Sequence, residues 1–510
     1  MKRGKIIESM DDDLQLPEVI IQHIQSFLDR RQAARTSVLS KPWHSAYSTR
    51  PILDFDVRDF QIAKVFSEFV KRIMQRYHEL ELKIEDFRLR IKVTNSESAS
   101  LADEFIKRAM QLMVNDFSLE IIGGNLKYVL PVQVFEAKSL INLSVTRCKI
   151  DRQFDGDMIC SNLESLTLCR VFIGDDMIRD IILRCPLLET LYLSECMGLL
   201  NVNLSKLHNL KKFSATKRWA CNVRSPLIEL EERTVGPYIC KQVNVPEYCK
   251  LSCLILEEVK IDESFFHDLS SKFPCLENLS LHYCDGYKDI EISSHSLKYI
   301  SLMDVYKLKK AKFEVPSISQ FNFAAFSIPS LSFMTPAREY ESYISLALHW
   351  GDHVEDCWFL DLKKFLTELS RSRTSVSITM FLNEWDYPMG YNRGFPIPVV
   401  ENLMIKIHPS TCLSLVVLDD VFCSCRPKFL TFCDDDDNDD FNIKTRKLLC
   451  KSYSSRTFSY MNDLEEVNVE FFEETLKEWR PLPWKVFLDS SKVRVNKERF
   501  RFRLKWRAFS

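Results

Sequence analysis

LQLPEVIIQHIQSFLDRRQAARTSVLSKPWHSAYSTR, residues 14–50, is the stretch on which the reading of the chain turns. Pro17 follows a short apolar lead-in and suits the opening of a helix, where its missing N–H is harmless. From Val19 to Leu28 the apolar residues Ile20, Ile21, Ile24, Phe27 and Leu28 recur at three- and four-residue steps, which predicts one broad stripe on a helix of about three turns. Ala33, Ala34, Val38 and Leu39 continue into a second short helix. Ser40 is placed to cap a third, with Pro42 in its first turn and Trp43 and Tyr47 four apart on one side.

Three short helices cannot enclose a self-sufficient core. Either the stretch packs as a helical hairpin on its own chain, or it docks on another protein. The run LPEVIIQHIQSFL followed by TSVLSKPW resembles the F-box, with Leu16-Pro17, the Ile-rich helix and Val38-x-Ser40-Lys41-x-Trp43 all in place. The resemblance implies docking on a Skp-family adaptor through Leu16, Pro17, Ile20, Ile24, Phe27, Leu28, Val38, Leu39 and Trp43. Pro42 departs from the basic residue that most members carry before the Trp.

The 510 residues carry Lys+Arg 69 against Asp+Glu 71, a net charge of −2, so no global field favours nucleic acid or an anionic membrane. No apolar run approaches the roughly 20 residues that span a bilayer, and the basic start MKRGKIIESMDDD turns acidic before any signal-like core. The expectation is a soluble, unsecreted protein of the nucleus or cytoplasm. Its 17 cysteines then read as small core residues rather than disulfides. With only 11 glycines there is little material for phosphate-cradling loops, and Gly123-Gly124 reads as a turn.

After Leu53-Asp54-Phe55, an extended piece, Val57 to Tyr77 reads as an amphipathic helix burying Ile62, Val65, Phe66, Phe69, Val70 and Ile73. Phe87, Leu89, Ile91 and Val93 alternate as a half-buried strand, and a helix burying Phe105, Ile106, Ala109 and Met113 follows a capping loop at Asn95 to Ser100. The pattern L-x-x-L-x-L then starts at Val114, Leu140, Leu163, Leu188, Leu210, Leu251, Leu276, Leu297 and Ile318. From Leu140 the steps are 23, 25, 22, 41, 25, 21 and 21, intervals of leucine-rich repeats with one degraded unit near Leu227 to Leu230. Cys148, Cys196 and Cys284 share one repeat position, where a small buried side chain closes the turn leaving the strand. Arg184-Cys185-Pro186-Leu187-Leu188-Glu189 is echoed by Lys272-Phe273-Pro274-Cys275-Leu276-Glu277.

Beyond Pro329 the register loosens, through a helix near Leu362 to Leu369, a strand near Val376 to Met380, and Val400-x-x-Leu403-x-Ile405. A late unit reads Leu464-x-x-Val467-x-Val469-x-x-Phe472. Ser424 to Leu430, Trp484 to Asp489 and Arg501 to Trp506 extend the likeness to plant F-box/LRR proteins over most of the chain. The fold class expected is therefore α/β: a flexible tail over 1–9, a three-helix F-box over 10–52, linking helices and an irregular first repeat over 53–113, and a curved leucine-rich-repeat solenoid over 114–330. Irregular repeats and a C-terminal cap fill 331–510, with an acidic loop over 433–441. Six aspartates in seven positions repel one another and suit an exposed loop; it lacks the glycine and glutamate of a calcium loop, and Cys423, Cys425 and Cys433 lack a fourth zinc ligand.

Strand side chains alternate, so in each repeat the three residues flanking the two inner apolar ones face outward. Of the 24 positions so read, from Asn142 to Ala324, only Lys212 is basic. A polyphosphate cofactor, which hormone-receptor members of the class hold with basic residues, is not expected, nor is nucleic acid. Tyr192, His282, Tyr299 and Met303 are the candidate anchors for a protein target; the alternative is a target seated on a loop or the C-terminal cap. No G-x-S-x-G, H-E-x-x-H or phosphate-binding loop occurs, and His23 reads as an exposed helical residue. The resemblance implies a non-enzymatic substrate-recognition subunit of an SCF-type ubiquitin ligase, linked through the adaptor to a cullin; a non-degradative scaffold is the alternative.

Overall fold

The structure, a computed structural model, describes residues 16–28, 30–123, 128–151, 160–216, 242–244, 250–261, 263–267, 269–305, 307–334, 339–349, 358–381, 396–407, 415–434, 463–473, 475–488 and 500–507. The tail 1–9, the Gly124 half of the Gly-Gly turn, the degraded repeat at 227–230 and the acidic loop beyond Asp434 lie outside the described residues. The chain divides into two compact units, Met1–Cys249 and Lys250–Ser510.

The first unit opens with three helices, α1 (Glu18–Ser26), α2 (Arg30–Thr36) and α3 (Lys41–Thr49). Pro17 and Ser40 stand at the N-caps of α1 and α3, and neither cap is closed by a side-chain hydrogen bond. Then come β1 (Ile52–Asp56), α4 (Ala63–Glu79), β2 (Asp86–Lys92), α5 (Ser96–Gln111), β3 (Asp116–Ile122), β4 (Asn142–Thr146), β5 (Ser165–Cys169), α6 (Asp175–Arg184), β6 (Thr190–Ser194) and β7 (Lys212–Thr216). These seven strands pair in sequence order, all parallel. Asn95 and Ser98 close α5 with a reciprocal capping box.

Two helix faces differ from the sequence expectation. In α4 the buried stripe is Phe66, Val70, Met74 and Tyr77, whereas Ile62 and Val65 are exposed. Tyr77 decides the rotation: its hydroxyl donates to the Arg50 carbonyl at 2.7 Å and anchors the inner face. Met113 lies past the end of α5 in a left-handed conformation (φ 54°) and points to solvent, because the helix has already ended at Gln111.

The second unit contains β8 (Cys253–Glu257), β9 (Asn278–His282), β10 (Tyr299–Met303), β11 (Gln320–Ala325), β12 (Tyr340–His349), α7 (Trp358–Glu368), β13 (Ser372–Phe381), β14 (Val399–Ile407), α8 (Leu415–Ser424) and β15 (Arg426–Asp434). These strands also pair in order and in parallel. The unit ends in β16 (Leu464–Glu473), β17 (Glu478–Leu482) and β18 (Phe500–Trp506), where β18 joins β15 and β16 antiparallel, and β16 pairs β17 antiparallel. The late repeat expected at Leu464 to Phe472 is thus corrected: its apolar alternation is shared by parallel and antiparallel strands, and the chain direction is reversed.

Where the repeat pattern holds, physics repeats with it. The inner pairs Leu143/Val145, Leu166/Leu168, Leu191/Leu193, Phe213/Ala215, Leu254/Leu256, Leu279/Leu281, Ile300/Leu302 and Phe321/Phe323 are all buried. The residue after six strands, Arg147, Arg170, Glu195, Glu258, Tyr283 and Asp304, takes a left-handed φ between 50° and 62°. Each costs a non-glycine residue about 1–2 kcal/mol, offset because its N–H donates to a carbonyl at the end of the next strand at 2.6–2.9 Å. The following residue is Cys148, Cys196 or Cys284, or a valine at 171, 259 and 305, and all are buried. Cys196 and Cys284 also donate their thiols to the Leu168 and Leu256 carbonyls at 3.4 Å. Among the outward positions, Cys169, Ser214, Ser280 and Ser301 are nonetheless buried, since short side chains between paired strands are covered by their longer neighbours.

Candidate docking face and repeat surface

In the N-terminal module the inward residues of α1 are Ile21 and Gln25, one turn apart. Ile21, 1% exposed, packs in a small core with buried Ala33 and Ala46. Gln25 Nε2 donates to Thr36 Oγ1 at 2.9 Å and to the Trp43 carbonyl at 3.3 Å, tying α1 to α2 and α3. Gln22 donates to Thr49 Oγ1 at 3.0 Å, and Thr49 donates on to Glu18 at 2.6 Å. These polar ties substitute for the apolar core that three short helices lack.

With the inner side taken, the apolar residues left over face outward. Ile20, Ile24 and Phe27, at i, i+4 and i+7, lie on one side of α1, after Leu16 and Pro17. Phe27 is 76% exposed and rests edge-on against His23, with ring centroids 4.9 Å apart. Val38, 84% exposed, and Leu39 stand between α2 and α3, while Leu28 and Trp43 are half-buried. Two details escaped the sequence reading. The single broad stripe divides, with Ile21 in the inner core and Ile20, Ile24 and Phe27 outside, and Val19 is exposed beside Ile20; a helix this rich in isoleucine leaves its rotation undetermined until Gln25 is seen to face inward.

The four candidate anchors on the repeat strands divide between the units. Tyr192, half-buried, sits in the first unit between Thr167 and Ser214. In the second, His282 and Met303 are direct cross-strand neighbours. His282 Nε2 lies 3.2 Å from Ser301 Oγ, and burial pushes its pKa below the usual histidine range. Tyr299, on the same face of β10, has its hydroxyl held by Asn322 Nδ2 at 2.6 Å. His282, Tyr299 and Met303 therefore form one cluster.

Comparison with known proteins bears on the repeat strands. A family profile described as "FBD-associated F-box protein At5g56370, LRR repeats" matches residues 103–233. The chain is 26% identical over 322 residues to the putative F-box/LRR-repeat protein At3g18150 of Arabidopsis thaliana, which covers 61% of this chain and 65% of that protein. The chain is similar to plant F-box/LRR-repeat proteins. A second F-box/LRR-repeat relative from Arabidopsis, the putative protein At5g02930, is 28% identical over 276 residues, 52% of this chain and 55% of its own length. The F-box protein At5g03100 is 27% identical over 298 residues, 58% of this chain and 85% of its own length. The chain thus spans less than two thirds of the length of the first two F-box/LRR relatives.

Proposed function

We propose that the three-helix module is an F-box that docks on a Skp-family adaptor, and that the repeat strands form a curved solenoid that binds a target protein. The chain then serves as the non-catalytic substrate-recognition subunit of an SCF-type ubiquitin ligase, joined through the adaptor to a cullin. The observation that carries the reading is the exposed apolar set Leu16, Ile20, Ile24, Phe27, Val38 and Leu39 on helices whose own core is already filled by Ile21, Gln25, Ala33 and Ala46. Water-exposed isoleucine, phenylalanine and valine on one module are the signature of a docking face. Pro17, Leu28 and Trp43 border it. Tethering a target near a ubiquitin-conjugating enzyme raises its effective concentration, and this is the contribution a non-catalytic chain makes.

Co-purification of adaptor and cullin with the full chain tests the reading. Changing Leu16, Pro17 and Ile24 together to Ala removes both; unchanged recovery overturns it. A target that accumulates on the chain when the proteasome is blocked supports delivery for degradation. Adaptor binding without any such accumulation supports the non-degradative scaffold instead.

A further inference from the structure

The outward side of the second unit holds a row in register across six strands: Asn322, Tyr343, Ser375, Asn402, Phe429 and Arg503, each the cross-strand partner of the next. Alongside runs a second row, Ala324, Ser345, Ser377, Met404 and Thr431. Neither row carries a charge until Arg503. Tyr343 is 46% exposed and is held upright by its hydroxyl, which donates to Glu341 at 2.8 Å. Asn402 donates to Ser375 at 3.0 Å, so the amides of the row are oriented rather than loose.

At the C-terminal end the rings and guanidinium groups stack. Arg501 lies between the Phe429 and Trp479 rings, 4.0 and 4.3 Å from their centroids, and donates to Glu470 at 2.6 Å. Arg503 stands over Phe429 at 5.9 Å, and among the described residues its carboxylate neighbour is the same Glu470, at 3.6 Å, already engaged by Arg501. Two cations share one anion, leaving one positive charge; the side chain of Arg503 is 63% exposed. Lys505, the next cation along β18, has its own partner in Glu465 at 3.1 Å.

We infer that this face binds an extended, otherwise uncharged segment of the target, with an Asp or Glu side chain seated on Arg503 and an apolar or aromatic side chain on Tyr343. The inference rests on the substrate-binding role proposed above and names the class of segment taken. Charge complementarity carries it: a planar guanidinium braced by an aromatic ring favours a bidentate carboxylate, while the two rows themselves are neutral and the charges flanking Tyr343, Glu341 and Arg373, are cross-strand partners of opposite sign that cancel, so no second charge on the segment is favoured. Four strand spacings of about 4.8 Å separate Tyr343 from Arg503, roughly 19 Å, which an extended peptide spans in about six residues.

A random dodecapeptide library displayed on phage and panned against the full chain tests this. The expected winners carry one Asp or Glu about six positions from an aromatic or aliphatic residue and no other charge. Replacing that Glu by Gln in a synthetic winner weakens binding at least tenfold. Arg503→Gln abolishes the Glu-over-Gln preference, while Tyr343→Ser weakens both peptides alike; both variants recover the adaptor as the wild type does. No enrichment, enrichment of basic peptides, dependence on a C-terminal carboxylate or a phosphate, or a preference that survives Arg503→Gln overturns the inference. Loss of adaptor recovery by the wild-type chain, with peptide selection intact, sinks only the ligase reading.

Discussion

Gly286 and Gly198 occupy one repeat position, two residues after Cys284 and Cys196, with φ of +101° and +89°. Both close the turn where neighbouring return segments meet: Ile261 N–H donates to the Asp285 carbonyl, and Ile173 N–H to the Met197 carbonyl, each at 2.8 Å. That pairing draws the Ile261 and Ile173 carbonyls over the glycines. A Cβ added at Gly286 would collide with the Ile261 carbonyl oxygen, and one at Gly198 would come within 2.9 Å of the Ile173 oxygen. Gly286→Ala therefore adds a left-handed penalty of about 1–2 kcal/mol to an overpacking cost of about 1–3 kcal/mol against backbone that cannot rotate away. A loss of roughly 2–5 kcal/mol corresponds to a fall in Tm of roughly 4–20 °C for a unit of this size. Gly198→Ala should fall less, since its contact is longer. Gly174, with ordinary φ and no atom within 4 Å of an added Cβ, is the control; as the N-cap of α6 it should lose no more than about 1 kcal/mol on Gly174→Ala. Thermal unfolding followed by circular dichroism measures all three; Gly286→Ala melting with Gly174→Ala would refute the reasoning.

Two further outcomes follow from charge and burial. Burial alone would raise the Asp56 carboxyl, but hydrogen bonds from Arg58 and Arg90 outweigh it and hold its pKa at about 2, below the ordinary 3.8. A depressed folded-state pKa stabilises above the ordinary value and is lost as pH falls through about 2. Asp56→Asn should thus cost about 1 kcal/mol near neutral pH, after solvent screening, with the gap to wild type closing between pH 4 and 2 in denaturant titrations. Burial pushes the Cys284 thiol up to about 12 and Cys148 higher still, whereas Cys275 is exposed. Iodoacetamide on the native protein should label Cys275 and spare Cys148 and Cys284, as read by mass spectrometry; equal labelling would contradict the burial assigned to the repeat cysteines.

The repeats were readable because two inner apolar residues at period two admit one orientation: Leu166 and Leu168 must point inward, and their neighbours outward. Intervals of 21 to 25 residues, with one step of 41, then located the inner strands from Asn142 to Ala325, while the short strands of the return segments, such as Asp289–Ser293 and Lys310–Glu314, went unread. Rotation of a helix is read less well when apolar residues exceed one face. In α4, Ile62 and Val65 compete with Met74 and Tyr77, and the hydrogen bond from Tyr77 to Arg50, 27 residues away in the chain and so outside any local pattern, selects the latter. Strand direction left no local mark either, so Leu464 to Phe472 resembled a repeat while pairing antiparallel. In the three-helix module the sequence placed Ile20, Ile21, Ile24, Phe27 and Leu28 on one stripe and passed over Val19; it could not separate buried Ile21 from its exposed neighbours, because a buried glutamine that organises the inner side looks like an ordinary surface residue in the sequence.

Titration calorimetry of a purified Skp-family adaptor into the full chain tests the docking claim most directly, with the melting temperature of each variant measured beside it. Phe27→Ala combined with Val38→Ala should weaken adaptor binding at least tenfold while shifting Tm by less than about 2 °C, because both side chains meet solvent. Ile21→Ala should instead destabilise the module by about 2–5 kcal/mol. Wild-type affinity in the Phe27/Val38 double variant would contradict the account.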